Sequence, residues 1–137
     1  MKEGIKSLVL IVCTDDKNGM MFNNRRQSRD ALVIDDLIEL VGQNKLYCSE
    51  YTAKLFDDFD FTPQICENFN NLSDSSYVFI ENPDDIPKNI TKIIKYLWNR
   101  HYPSDKKFNM NGFKLESSCE FSGKSHEKIT REIYIKC

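Results

Sequence analysis

The chain has 137 residues and a mass of 16.1 kDa, with 40% hydrophobic and 29% charged residues, as expected for one soluble globular domain. Its net charge is −2, so no overall basic field directs it to nucleic acid or to a membrane surface. The longest apolar run, residues 8–13, is far shorter than the roughly 20 residues that span a bilayer. Because no small-residue cleavage site follows that run, we expect a cytoplasmic protein without a signal peptide.

The first half of the chain alternates strand and helix patterns. Residues 7–14 form an apolar run rich in Val, Ile and Leu, which predicts a central strand buried on both faces. Asn18-Gly19 then suits a turn with positive φ. Ser28 is predicted to cap a helix from Arg29 to Val41, and Gly42 to end it. "KLYCS" predicts a second strand, "EYTAKLFDDF" a short helix and "PQICENF" a marginal third strand.

The second half is dominated by strand patterns. A polar loop, Asn70 to Ser76, precedes the strand "YVFIE", and "NPDDIPKNI" predicts a turn and a short helix that starts near Pro87. "TKIIKYLWNR" fits helix or strand, and its β-branched and aromatic residues favour strand. "FKLESSCEF" and "ITREIYIK" alternate apolar and polar residues, which predicts an antiparallel pair with one face in water. The sequence therefore predicts a single α/β domain over residues 1–137, with a mostly parallel mixed sheet and an antiparallel C-terminal hairpin.

Residues 18–30, "NGMMFNNRRQSRD", concentrate polar chemistry after the first strand, where open α/β sheets bind ligands. Arginine side chains and a helix N-terminus both favour phosphate or carboxylate. A charged helix entry, with Asp30 facing the helix dipole, would explain the same pattern. The predicted ligand-binding residues of this segment are Asn23, Arg25, Arg26, Gln27, Ser28 and Arg29.

A second polar segment, "GKSHEKITR", lies in the connection before the last strand. His126 beside Glu127 could act as an acid or base near neutral pH, with Lys124, Ser125 and Lys128 as further ligand contacts. A solvated hairpin loop is the alternative. If the first strand neighbours the C-terminal strands, this segment and residues 18–30 share one face of the sheet.

A third segment, "YLWNRHYPSD", interleaves aromatic and basic residues and could stack on bases, although packing at a strand end explains it equally well. The five cysteines are widely spaced without a CxxC pair, which disfavours a disulfide framework or a zinc site. Cys13 and Cys48 lie in strand patterns as candidate core residues, and Cys137 is terminal. Only two histidines are present, and the chain has no HExxH, GxGxxG, Walker A or GxSxG motif.

The order of these elements resembles dihydrofolate reductase. In that family a buried first strand leads through a mobile loop to a helix whose acid protonates the pterin, and "LVLIVCTDDKNGMMFNNRRQSRD" follows the same course with Asp30 at the acid position. "KLYCSEYTAKLF" is similar to the family's Gly-Arg-x-Thr segment, with Thr52 matching and Ser49-Glu50 in place of Gly-Arg. The resemblance implies a dihydrofolate-reductase-like fold and NADPH as a cofactor, although "YVFIENPDD" lacks the glycine pair that receives the cofactor's pyrophosphate.

The motifs "GMMFN-x-RRQS-x-D" and "SHEKIT" are similar to those of a group of short bacterial proteins often labelled ribonuclease Z. Our hypothesis is an anionic ligand (a nucleotide, a phosphorylated metabolite or an RNA end) bound in a cleft of residues 18–30 and 123–131. Arg25, Arg26 and Arg29 would hold the anion, and the catalytic candidates would be Asp30, His126 and Glu127. The alternatives are an NADPH-dependent pteridine-type reductase, a metal-independent ribonuclease and a non-catalytic interaction protein. We expect no contact with a membrane, and the sequence does not specify an oligomeric state.

Overall fold

A computed structural model describes residues 7–72 and 76–137. The strands of this part of the chain are β1 Leu8–Thr14, β2 Gly19–Phe22, β3 Arg25–Arg26, β4 Leu46–Cys48, β5 Gln64–Ile65, β6 Ser76–Phe79, β7 Ile90–Leu97, β8 Lys106–Lys107, β9 Phe113–Phe121 and β10 Ile129–Lys136. Its helices are α1 Ala31–Val41 and α2 Glu50–Ala53, with 3-10 turns at Lys54–Phe56, Phe69–Asn71 and Pro83–Asp85. None of these helices has the length and apolar character that a membrane crossing requires.

Seven strands form one sheet in the order β5-β4-β6-β1-β7-β10-β9. The first five strands in this order, β5, β4, β6, β1 and β7, run parallel to one another, whereas β10 is antiparallel to both β7 and β9. The predicted α/β class, with a mostly parallel sheet and an antiparallel C-terminal hairpin, is therefore confirmed. Because β1 lies between β6 and β7, its carboxyl end is central, as the apolar run predicted.

The sheet is covered on both faces, which explains why β1 is apolar throughout. Ile11 faces α1 and packs with Leu37 and Val41. Leu10 and Val12 point to the other face. There they pack with Met20 of β2 and with Phe108, which directly follows β8. The alternation follows from the two-residue period of a strand.

The segment after β1 is more ordered than the predicted loop. β2 and β3 form an antiparallel hairpin, and β8 pairs with the other edge of β2. Asn23 and Asn24 form the turn with φ of 51° and 61°, the backbone region that tight two-residue hairpin turns require. The predicted positive φ at the preceding turn is found at Asn18, with φ of 62°.

Helix α1 begins later than predicted, and its cap is Asp30 rather than Ser28. Asp30 has extended backbone angles and its carboxylate accepts a hydrogen bond from the Leu32 N–H, as an N-cap does. Gly42 ends the helix with φ of 59°, as predicted.

In the second half, the strand assignments are confirmed and three details differ. The predicted helix near Pro87 is a single 3-10 turn that begins at Pro83 and is capped by Asn82. The predicted polar loop is one residue too long, because Ser76 is the first residue of β6. Residues 73–75 of that loop lie outside the described residues. Strand β9 is exposed at seven of its nine positions rather than on one face only.

Candidate functional site

The two polar segments meet at Asp30, which joins the start of α1 to the turn before β10. Asp30 Oδ1 accepts hydrogen bonds from the backbone N–H groups of Leu32 and Lys124, each at 2.9 Å. Its Oδ2 accepts from the Ser125 N–H at 2.8 Å and from the Ser125 hydroxyl at 3.1 Å, and lies 2.9 Å from His126 Nδ1. The expectation that residues 18–30 and 123–131 share a face of the sheet therefore agrees with this geometry.

His126 is enclosed by residues of all three polar segments. Its ring stacks on Trp98 with centroids 4.7 Å apart, and its Nε2 lies 3.0 Å from the Ser28 hydroxyl and 3.2 Å from the Tyr102 hydroxyl. Both ring nitrogens are thus engaged, and the residue is only 4% exposed. The aromatic residues of "YLWNRHYPSD" serve here as packing and hydrogen-bonding partners of a buried histidine.

These contacts do not favour acid–base chemistry by the predicted catalytic residues. Burial would raise the pKa of Asp30, but the hydrogen bonds from Lys124, His126, Ser125 and Leu32 hold that pKa well below its ordinary value. Asp30 therefore stays ionised at neutral pH and has no proton to donate. Glu127 is exposed, and the carboxylate that contacts His126 is Asp30.

The space beside Asp30 on the inner side of α1 is too small for an organic substrate. A void of about 20 Å³ lies there, between α1 and side chains that include Cys13, Phe79 and Trp98. Sites for small organic ligands usually measure about 300–1,000 Å³. A pteridine ring therefore has no room on this side of the carboxylate that the dihydrofolate reductase resemblance puts in the acid position.

Arg26, a predicted anion ligand, is already paired with a carboxylate. Its Nε and NH2 groups donate to the two oxygens of Glu81, at 2.6 and 2.9 Å, and its guanidinium lies 4.3 Å from the centroid of the Tyr51 ring. Thr52 donates a further hydrogen bond to Glu81 at 2.9 Å. Because Glu81 neutralises Arg26, this arginine is not available to an anionic ligand as the sequence suggested.

The other predicted ligand residues lie in four different places. Asn23, Arg25 and Gln27 line an open cavity of about 580 Å³ beside the β2–β3 hairpin, where the Gln27 amide donates to Asp15 at 3.1 Å. Lys128 lies elsewhere, 3.5 Å from Glu120. Arg29, Lys124 and Ser125 line a separate cleft, whereas Ser28 points to His126.

That separate cleft, here called the anion cleft, has a volume of about 370 Å³. Its charged rim carries Arg29, Lys54 and Lys124, opposed by Asp58, and its floor is apolar. Within residues 7–72 and 76–137, no carboxylate lies within ion-pairing distance of the three rim cations. The full lining is Arg29, Asp30, Ala31, Ile34, Lys54, Leu55, Asp58, Phe59, Lys124 and Ser125.

A second concavity, here called the acidic crevice, lies beyond the carboxyl ends of β4 and β6. It measures about 300 Å³ and presents Glu81 and Asp85. Burial and the neighbouring Asp84 raise the pKa of Asp85. The remaining lining is Met21, Asn24, Ser49, Tyr51, Thr52, Phe69, Phe79, Ile80 and Asn82.

The acidic crevice does not fit the pyrophosphate of NADPH. A dinucleotide phosphate group requires backbone N–H donors from a glycine-rich turn, or cations, close to its oxygens. Here Glu81 lies two residues after the end of β6, and the nearby cation Arg26 is neutralised by it. The lining has two carboxylates and no cation to offset them, so these residues do not form the site that the family resemblance implied.

One group of possible metal ligands occurs in the described residues: Asp15, Asp16 and His101. Asp15 is fully buried, and its oxygens accept hydrogen bonds from the N–H groups of Lys17, Gly19 and Tyr102 in addition to the Gln27 amide. These donors hold the Asp15 carboxylate in the turn between β1 and β2, which is a structural role.

The environments of Cys13 and Cys48 do not favour a reactive thiol. Cys48 is buried as predicted, and burial raises its pKa to about 12. Cys13 is only partly buried, yet desolvation and Glu81 also raise its pKa. Raised thiol pKa values disfavour the nucleophilic thiolate.

Sequence reasoning missed Glu81 and Lys54. Glu81 is the last residue of the predicted strand "YVFIE". Open α/β sheets bind ligands beyond the carboxyl ends of their strands, so the rule that indicated residues 18–30 also indicates Glu81. Lys54 carries no motif and joins the anion cleft only through the fold.

The fold is similar to that of known proteins, whereas the sequence is not. The structure of a dihydrofolate reductase from Enterococcus faecalis, complexed with NADP(H) and RAB-propyl, superposes with a TM-score of 0.67 at 8% identity, covering 94% of this chain and 95% of that chain. No protein-family model and no curated protein matches the sequence, so the ribonuclease Z label finds no support. The chain has a dihydrofolate-reductase-like fold.

Proposed function

We propose that this protein binds a small anionic ligand, such as a nucleotide or a phosphorylated metabolite, in the anion cleft. The observation that carries the proposal is a group of three cations, Arg29, Lys54 and Lys124, around one cavity of a chain whose net charge is −2. None of the three has an ion-pair partner in the described part of the chain. Charge-assisted hydrogen bonds from arginine and lysine are the strongest that side chains offer to phosphate or carboxylate.

The floor of the anion cleft indicates the rest of the ligand. Ile34, Leu55 and Phe59 present apolar surface beside the cations. A ligand with an anionic end and an apolar or planar body would use both parts, which is the usual composition of a small-molecule site. Asp58 on the rim would disfavour a body that carries a second negative charge close to it.

The Asp30–His126 pair supports the proposal as a positioning device. Asp30 fixes the backbone N–H groups of Lys124 and Ser125, at 2.9 and 2.8 Å, while capping the helix that follows Arg29. The two segments that carry Arg29 and Lys124 are thereby tied together. A site whose supporting contacts are buried is preorganised and loses less entropy on binding.

The pteridine-type reductase is the weaker alternative. It would need an acid with a proton to donate and a pyrophosphate site, whereas Asp30 stays ionised and the acidic crevice carries Glu81 and Asp85. A ribonuclease that uses His126 would have to expose a ring whose two nitrogens are engaged.

A thermal-shift screen against nucleotides, phosphorylated metabolites, pterins, NADPH and short RNAs tests the proposal. A ligand at 100 times its dissociation constant should stabilise the fold by about 2.7 kcal/mol. For a domain of this size that corresponds to roughly 8 °C in Tm. If no anion raises the Tm, or if NADPH with dihydrofolate is turned over, the proposal fails.

Variants then locate the site. Lys124→Gln and Arg29→Gln should each weaken binding of the hit by about 10- to 100-fold, because one charged hydrogen bond contributes about 1.5–3 kcal/mol. The contact of Asp30 with the Lys124 backbone N–H survives the first substitution. Lys128→Gln is the matched control, because Lys128 is also exposed but lies outside the anion cleft.

A further inference from the structure

Three side chains around the ring of His126 lie in the order of a Ser-His-Asp triad. The Ser28 hydroxyl is 3.0 Å from His126 Nε2, and Asp30 Oδ2 is 2.9 Å from Nδ1 at the other side of the ring. In serine hydrolases these contacts let the histidine take the serine proton while the carboxylate holds the ring in place. Such triads occur on unrelated folds and are recognised by their geometry, not by sequence position.

From these contacts we propose that Ser28 is a nucleophile that His126 activates and that accepts the acyl group of a small carboxylic ester. Asp30 is a positioning residue in this arrangement and keeps its negative charge throughout. The role differs from the one predicted from the sequence, in which Asp30 or Glu127 took part in proton transfer. It does not require a ligand in the anion cleft.

The hydrogen bonds around the ring leave Nε2 as the basic nitrogen. Asp30 is ionised at neutral pH, so Nδ1 carries the ring hydrogen and donates it to Oδ2. Nε2 is then an acceptor, and Ser28 is nearer to it than the other hydroxyl, that of Tyr102 at 3.2 Å. Because the proton comes from a hydroxyl that already contacts Nε2, His126 can act as a base while it stays buried.

The substrate has room on the side of the β2–β3 hairpin. Ser28 is half-buried, and the void of about 20 Å³ beside it under α1 is too small for an ester. Gln27, its neighbour in the chain, and Tyr102, which contacts the same ring nitrogen, both line the open cavity of about 580 Å³. Phe22 and Arg25 add an apolar surface and a cation to that cavity, which fits an ester with an apolar part and a carboxylate.

A backbone donor for the developing oxyanion directly follows the nucleophile. The N–H group of Arg29 has no hydrogen-bond acceptor within the described part of the chain. In α/β-hydrolases the N–H of the residue after the serine is one of the donors of the oxyanion hole. The Arg29 N–H takes the same place in the sequence and would stabilise the negative charge on the carbonyl oxygen.

The reaction is an acyl transfer in two stages. When Ser28 Oγ bonds to the carbonyl carbon, the carbonyl electron pair moves to the oxygen and the hydroxyl proton passes to His126 Nε2. The pair then returns, the bond to the alcohol oxygen breaks, and that oxygen takes the proton from Nε2. Water repeats the sequence on the acyl-serine and restores Ser28. One ester and one water thus give one carboxylic acid and one alcohol.

Labelling with a fluorophosphonate tests the inference, because the reagent bonds to an activated serine with loss of fluoride. Ser28 should be labelled about 100-fold faster than the other serines, since a general base contributes about 10²–10⁴-fold. Ser28→Ala should lose this adduct, and also the burst of p-nitrophenolate that acylation by p-nitrophenyl acetate produces. Ser104→Ala is the matched control and should retain both, because Ser104 is also half-buried but lies outside the triad.

The unfolded chain shows whether the reactivity depends on the fold. In urea Ser28 is still present but no longer contacts His126, so its labelling should fall to the rate of the other serines. Ser28→Ala keeps the contact of Tyr102 with Nε2, and circular dichroism checks that the variants are folded. No adduct, an adduct confined to other residues, or equal labelling of Ser28 in the folded and unfolded chains would each overturn the inference.

Discussion

Replacing Asp30 with asparagine tests whether this carboxylate holds the site together. Asp30→Asn keeps the shape of the side chain but removes its charge and one of the two acceptor oxygens that serve Leu32, Lys124, Ser125 and His126. Leaving a buried hydrogen-bond donor without its acceptor costs about 1–3 kcal/mol, and Asp30→Asn does so for more than one donor. This is a large share of the about 5–15 kcal/mol that stabilises a typical domain.

Urea denaturation at pH 7 measures the effect on the free energy of unfolding. Asp35→Asn is the matched control, because Asp35 lies on the same helix and is exposed, and it should change stability by less than about 0.5 kcal/mol. If Asp30→Asn costs no more than Asp35→Asn, the structural role assigned to Asp30 is refuted.

The pH dependence of that difference has a definite sign. The pKa of Asp30 is lower in the folded chain than in the unfolded chain, so the unfolded state takes up a proton first as the pH falls. The stabilisation by Asp30 is complete above its unfolded pKa of about 4 and declines below it. The difference in the free energy of unfolding between wild type and Asp30→Asn should therefore narrow from pH 5 towards pH 2. A difference that widens on acidification would contradict this reasoning.

The remaining predictions concern the contacts around this site. Gly123→Ala should destabilise the fold by about 1–3 kcal/mol in thermal or urea unfolding, because a Cβ there would lie 2.6 Å from Asp30 Oδ2 and 2.9 Å from the His126 carbonyl oxygen. An unchanged stability would contradict the close approach of the two segments. Glu81→Gln should cost about 2 kcal/mol, since it leaves the Arg26 guanidinium partly buried without its carboxylate. In a double-mutant cycle of Arg26→Met and Glu81→Leu, we expect a coupling energy of about 1–3 kcal/mol. If the losses in the free energy of unfolding of the two single variants add up to that of the double variant, the pair is not a stabilising contact.

The fold was readable from the sequence because its signals are local. The apolar run of β1, the alternation in β9 and β10 and the glycine after α1 each specify an element within a few residues. The order of these elements then limits the topology to a parallel sheet with an antiparallel end. The β2–β3 hairpin was not predicted, because its turn is Asn23-Asn24, a weaker sequence signal for a hairpin than Asn-Gly.

The site was only partly readable, because its partners are distant in sequence. Residues 28–30 and 124–126 were both identified by their chemistry, yet nothing in either segment shows that Asp30, not Glu127, contacts His126. Arg26 was expected to bind an anion, but its carboxylate partner Glu81 lies 55 residues away. Lys54 joins Arg29 and Lys124 only once the 3-10 turn that follows α2 lies beside α1.

The most direct test of the anion cleft is a two-dimensional 15N NMR titration with inorganic pyrophosphate, followed by the hit of the ligand screen. The proposal predicts saturable shifts at residues 29–31, 54–59 and 124–125, which require much higher ligand concentrations in Lys124→Gln and are retained in Lys128→Gln. Shifts centred on residues 49–52 and 81–85 would place the ligand in the acidic crevice instead. That outcome, or no saturable shift with any anion, would contradict the proposed function.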